Sequence, residues 1–168
     1  MYRRARPETS GFTLIELVVV ILIFGVLAAV AVPQFIDLKS GTYKVSVAQT
    51  AGAFSSAISL AYLSCMVKGY AGKDNLPGFG AGKVDFNANC YPSSTNGNNG
   101  NVSASRCLQI WNGVLVLAPS VSTAAGGTAE YRAQGSGTTC TYTYREDTST
   151  ARRFTYSTAT GAIAVTNP

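Results

Sequence analysis

"GFTLIELVVV", Gly11 to Val20, decides how this chain is read. It places one carboxylate, Glu16, inside an apolar run that continues to Val32. As a helix at ~1.5 Å per residue, positions 12–32 extend about 30 Å, the thickness of a bilayer's hydrocarbon core. Arg3, Arg4 and Arg6 precede the run. A basic flank stays on the cytoplasmic side, which sends the C-terminal part outward. A charge at membrane depth is costly, so Glu16 is a functional candidate whose partner has to be found.

A secretory signal peptide is the competing reading, because Ala29-Val30-Ala31 looks like a small-residue cleavage site. The apolar run is longer than the usual core of about 7–15 residues, and Glu16 interrupts it. A plain uncut anchor leaves Glu16 unexplained. The nearest cations, Arg6 and Lys39, lie beyond opposite ends of the span, so no positive partner comes from this helix. Cutting the chain between Gly11 and Phe12 would create one: the α-amine of Phe12 becomes a cation one helical turn before Glu16, and a neighbouring copy can offer it.

A short basic leader ending in Gly11, then Phe12-Thr13-Leu14-Ile15-Glu16 and an apolar helix, resembles the prepilin signature of type IV pilins and of the pseudopilins of type II secretion. The continuation "GVLAAVAVPQFIDL" and the C-terminal "CTYTY" and "FTYSTATGAIAV" further resemble pilins of the mannose-sensitive haemagglutinin type. The resemblance implies an α+β type IV pilin fold, with a long N-terminal helix, membrane-spanning in its first half, packed on a small antiparallel β-sheet. It also implies that a prepilin peptidase cuts after Gly11 and methylates the amine of Phe12. Glu16 would then guide docking into a helical homopolymer of identical subunits, built by an inner-membrane assembly machinery. The precursor would sit in the bacterial inner membrane and the product would be an extracellular filament for adhesion, with motility or DNA uptake as further uses. A pseudopilin or minor pilin is the alternative. The expected organisation is a leader at 1–11, a membrane and filament-core helix at 12–33, an amphipathic half-helix at 34–69, and a disulfide-bonded loop and sheet region at 70–168.

Composition fits one compact domain plus one apolar segment: 168 residues, 46% hydrophobic and only 12% charged. That charged fraction is about half the usual ~25%, so much of the surface is small and neutral, which suits close packing against copies. The leader's Arg3, Arg4 and Arg6 against Glu8 account for +2 of the net charge of +5. The remainder is too small to argue nucleic-acid binding from charge alone. The chain has no histidine, which removes the common nucleophile–base pairs and the zinc helix, and no enzyme, metal or cofactor is expected. Cys65, Cys90, Cys107 and Cys140 are widely spaced without a CxxC pair, and read as two disulfides in an oxidising compartment. Three pairings stay open; the simplest is Cys65–Cys90 with Cys107–Cys140.

Pro33 lacks an amide hydrogen and opposes the carbonyl four residues back, so the helix is expected to bend or break just before it, with Gly25 weakening the same region. The resemblance implies that this stretch loses helical structure in assembled filaments. Val47, Ala51, Phe54, Ile58, Ala61 and Cys65 alternate four and three apart, the spacing of one buried helical face. Phe35, Leu38 and Tyr43 are left for neighbours. Lys68 and Gly69 are the expected stop. From Tyr70 to about Gly113 a surface loop is expected, with Asn101-Val102-Ser103 as a weak glycosylation pattern. Strands are expected at 113–119, 139–146, 153–158 and 162–166, the last two joined by a turn at 159–161.

Nothing else rises to chemistry. Glu146 and Asp147 read as a solvated turn, and Asp74 and Asp85 are too few for calcium. Arg132, Arg145, Arg152 and Arg153 with Tyr142, Tyr144 and Tyr156 are weighed as a DNA-gripping surface against a dispersed solvated face, and the latter is favoured.

Overall fold

The computed structural model describes residues 11–97 and 100–167, with the backbone alone at 33–37. The leader, apart from Gly11, therefore lies outside the described residues. The chain divides into two units, Met1–Ser40 and Gly41–Pro168.

The first unit holds the start of helix α1, Leu14–Lys68. Its stretch Leu14–Val32 has a mean hydropathy of 3.0 and is long and apolar enough to cross a membrane. Large apolar side chains here are exposed all round the helix, from Leu14 and Ile15 to Val30 and Val32. A helix apolar on every side needs an apolar environment on every side. The backbone of α1 is continuous helix through Gly25 and Pro33, so the chain does not break there.

In the second unit α1 is amphipathic. Val47, Ala51, Phe54, Ile58, Ala61 and Cys65 are all buried, as their spacing requires. The helix ends where expected, in a Schellman cap: Gly69 takes φ 65°, its N–H donates to Met66 O, and the N–H of Tyr70 donates to Cys65 O at 2.9 Å. Lys68 Nζ donates to the carbonyl of Pro77 and so ties the next loop to the helix end. Tyr43, expected to await a neighbour, packs its ring against Tyr144 at 5.7 Å.

The segment after α1 is not the plain loop that its Gly, Asn and Ser content suggested. Strands β1 (Asp85–Phe86) and β2 (Pro92–Ser94) pair antiparallel, and helix α2 follows at Ala104–Val114. Ser103 caps α2, its Oγ accepting from Arg106 N at 3.3 Å. Arg106, Cys107, Ile110, Trp111 and Val114 form the buried face. The apolar run at 113–119 is thus no strand: it is the end of α2 and a turn in which Leu117 is fully exposed.

The main sheet has five strands where three or four were expected: β3 (Val121–Ser122), β4 (Tyr131–Ser136), β5 (Thr139–Tyr144), β6 (Arg153–Ser157) and β7 (Ile163–Thr166), in that order. All pairings are antiparallel except the short parallel edge between β3 and β4. The β6–β7 turn is the expected one, closed by the Ser157 N–H on Ala162 O at 2.9 Å.

Alternation in these strands sends Tyr131 and Ala133, Cys140, Tyr142 and Tyr144, and Phe154 and Tyr156 inward. Phe54 of α1 sits among them, its ring 5.2 Å from Tyr142, 5.6 Å from Phe154 and 5.5 Å from Tyr156. Two of the buried phenols find carbonyls, Tyr142 donating to Cys107 O at 2.8 Å and Tyr156 to Pro92 O at 2.9 Å. Each aromatic brings a large apolar area and one polar tip that must be satisfied, so these bonds fix where α2 and β2 lie on the sheet.

Candidate functional site

The N-terminal site begins where the apolar run begins. Gly11, Phe12 and Thr13 are exposed and precede the first turn of α1. The Thr13 N–H and Oγ1–H both donate to Glu16 Oε2, at 2.8 and 2.9 Å, and the Glu16 N–H donates to Thr13 Oγ1 at 3.3 Å. This is a reciprocal capping box, in which residues three apart satisfy each other's backbone donors at a helix start. The apolar surround of Glu16 points to a cation as its partner, whereas within this helix the partner is Thr13. The signal was present in Thr13-Leu14-Ile15-Glu16, which has the Thr-x-x-Glu spacing of such a box.

Both side-chain bonds end on Oε2, so Oε1 is an acceptor left open among the described residues. Phe12, Ile15, Val19 and Val20 line an apolar groove beside the carboxylate. The arrangement combines a capped helix start, an open carboxylate oxygen and a wholly apolar surround.

The cysteines pair as Cys65–Cys90 and Cys107–Cys140. The first ties the end of α1 to the β1–β2 loop, and the second ties α2 to the start of β5.

Asp85, weighed as a calcium ligand, is fully buried and its carboxylate is taken up by the loop. It accepts from the Asn75 N–H at 2.9 Å, the Ser94 hydroxyl at 2.7 Å and the Gly97 N–H at 2.7 Å. Asp147, placed in a solvated turn, is buried and meets Arg152 Nε at 2.7 Å. The Ser149 hydroxyl, the Arg152 guanidinium and the amides of Thr150 and Ser149 hold its carboxyl down at about 2. Among the described residues no three His, Cys, Asp or Glu side chains converge on a metal-sized site.

The arginine–tyrosine surface is not assembled. Tyr142 and Tyr156 are core residues, Tyr144 is buried, and Arg152 is committed to Asp147. Strand alternation puts the tyrosines on one face of the sheet and Arg132 and Arg153 on the other.

An apolar N-terminal helix long enough to span a bilayer, a cap that keeps one carboxylate at its start and a disulfide-tied antiparallel sheet agree with the α+β fold of type IV pilins. The family model described as "Prokaryotic N-terminal methylation motif" matches residues 7–32. The chain is 51% identical over 54 residues to the type IV narrow pilus major component PilA5 of Thermus thermophilus, covering 32% of this chain and 47% of that one. It is 37% identical over 70 residues to the type IV major fimbrial protein FimA of Dichelobacter nodosus, covering 42% of each. It is 51% identical over 37 residues to the type IV major pilin protein PilA of Myxococcus xanthus, covering 22% of this chain and 17% of that one. The chain thus spans less than half the length of the curated relatives it matches. No solved structure matches it. Over part of its length the chain is thus similar to type IV major pilins.

Proposed function

We propose that this chain is made as a prepilin, cut after Gly11 by a prepilin peptidase, methylated on the Phe12 amine and polymerised into a type IV pilus that mediates adhesion. The observation that carries this reading is the helix of the first unit, apolar on all sides and exposed along Leu14–Val32. Such a surface is covered by lipid before assembly and by the same helix of neighbouring copies afterwards. The methylation-type motif at 7–32 and relatives named as major pilins support the same reading.

Glu16 has two tasks in this scheme. Through Oε2 it caps its own helix, and through Oε1 it receives the Phe12 amine of an adjacent subunit. Cleavage at Gly11 leaves the capping box intact, because the Thr13 N–H belongs to the peptide bond with Phe12. Helix through Gly25 and Pro33 in the single chain makes any loss of helix there a consequence of assembly. Twitching motility and DNA uptake are further uses of such a filament, and the buried tyrosines lend DNA contact no support.

Mass spectrometry of sheared surface fibres tests the proposal. This chain should be a principal component, beginning at a methylated Phe12. An intact Met1, or a mature start at Val32, would end it; confinement to short periplasmic fibres would favour the pseudopilin alternative.

A further inference from the structure

The sheet has a second face that the core does not use. Register places Arg132, Thr143 and Arg153 side by side in one row across β4, β5 and β6, and Gln134, Thr141 and Thr155 in the next. None of the six is buried, whereas the residues alternating with them include the core tyrosines. Strands lie about 4.8 Å apart, so the two arginines stand roughly 10 Å apart with a hydroxyl between them. Among the described residues no carboxylate lies within ion-pair distance of Arg132 or Arg153. Arg132 Nε is enclosed by the protein and bonds nothing there, so a ligand meets this side chain at its terminal nitrogens.

We propose that this face binds an anionic glycan, a polysaccharide carrying sulfate or carboxylate groups. The planar guanidinium fork takes up an oxyanion through two parallel hydrogen bonds, and Arg132 and Arg153 present two such forks on one line. The hydroxyls and amide of the neighbouring row are donors and acceptors for sugar hydroxyls. Nucleic acid fits less well, because the face offers no exposed aromatic ring for a base to stack on. The assignment names the partner class of the adhesive reading above and rests on it for its biological setting. The binding itself needs one chain and no filament.

The test uses the full chain in detergent micelles, with Arg3, Arg4 and Arg6 changed to glutamine in every sample so that the leader adds nothing. Heparin is the probe, neutral dextran and duplex DNA are the comparisons, and melting temperature checks folding. Heparin should bind at low salt and more weakly as salt rises. Arg132→Gln/Arg153→Gln should weaken it by about tenfold, the loss of two charge-assisted pairs at an exposed site, with an unchanged melting temperature. Thr141→Val, which keeps the charges, should weaken it by a smaller factor, and dextran should not bind. Absence of heparin binding, indifference to the double substitution, or DNA bound as tightly as heparin would overturn the proposal. A chain that forms no pili but still binds heparin would sink the pilus reading and leave this one standing.

Discussion

Glu16 and Thr13 satisfy each other at the start of α1: the Thr13 N–H reaches Glu16 Oε2 at 2.8 Å while the Glu16 N–H reaches back to Thr13 Oγ1 at 3.3 Å. A capping box accepts Gln as well as Glu at its third position, so Glu16→Gln separates capping from charge. The variant should insert, be cut at Gly11 and keep its helix, while surface fibre numbers collapse, because the neighbour's amine loses a partner worth roughly 3–5 kcal/mol when buried. Thr13→Ala keeps the charge and loses only cap energy, about 1 kcal/mol, so its fibre count should fall far less. Electron microscopy at matched membrane levels decides; normal fibres from Glu16→Gln would end the charge-pairing account.

Reduction should destabilise the second unit. The two disulfides close loops spanning 25 and 33 residues. Chain-entropy arguments assign roughly 3.5 kcal/mol to each. A circular-dichroism melt of the full chain in detergent, with and without reductant, should show a large fall in melting temperature. An unchanged melt would mean that the aromatic core alone holds the sheet.

Gly135→Ala should cost ~1–3 kcal/mol by overpacking. A Cβ there would lie 2.5 Å from the carbonyl carbon and 2.8 Å from the Cα of Ser103, the residue that caps α2, and backbone cannot rotate aside. Gly126→Ala meets nothing within 4 Å and serves as the control, expected to stay within about 0.5 kcal/mol. Equal melting temperatures for the two variants would show that α2 does not press on β4 as described.

Stability should fail at both extremes of pH for different reasons. Asp147 titrates at about 2 in the folded chain, below the ordinary aspartate value of ~3.9. Its contribution is therefore full above pH ~4 and is lost as pH falls towards 2. Burial raises the Tyr131 phenol to about 12 and pushes Tyr142 and Tyr156 upward as well. A neutral phenol favoured by the fold stabilises fully below pH ~10 and loses that contribution as pH climbs through 12. Asp147→Asn should flatten the acid limb of a stability-against-pH curve and leave the alkaline limb alone. An acid limb unaltered by that change would remove the Asp147–Arg152 pair from the account.

What the sequence determined by itself is what short-range pattern can carry. The span, the buried face from Val47 to Cys65, the Lys68-Gly69 stop and the strands β5 to β7 each follow from residues within a turn or two of one another. The Thr13–Glu16 box and α2 were also within reach. Ser103 followed by Cys107, Ile110, Trp111 and Val114 has helical spacing, but the Gly- and Asn-rich surroundings and the β-like run after Gly113 obscured it. The tertiary structure alone decided which cysteines pair, that Asp85 and Asp147 turn inward, and that the tyrosines and arginines of neighbouring strands part to opposite faces. These depend on register between segments tens of residues apart. A one-residue slip there exchanges every inward side chain for an outward one, and no local pattern records which register the packed core selects.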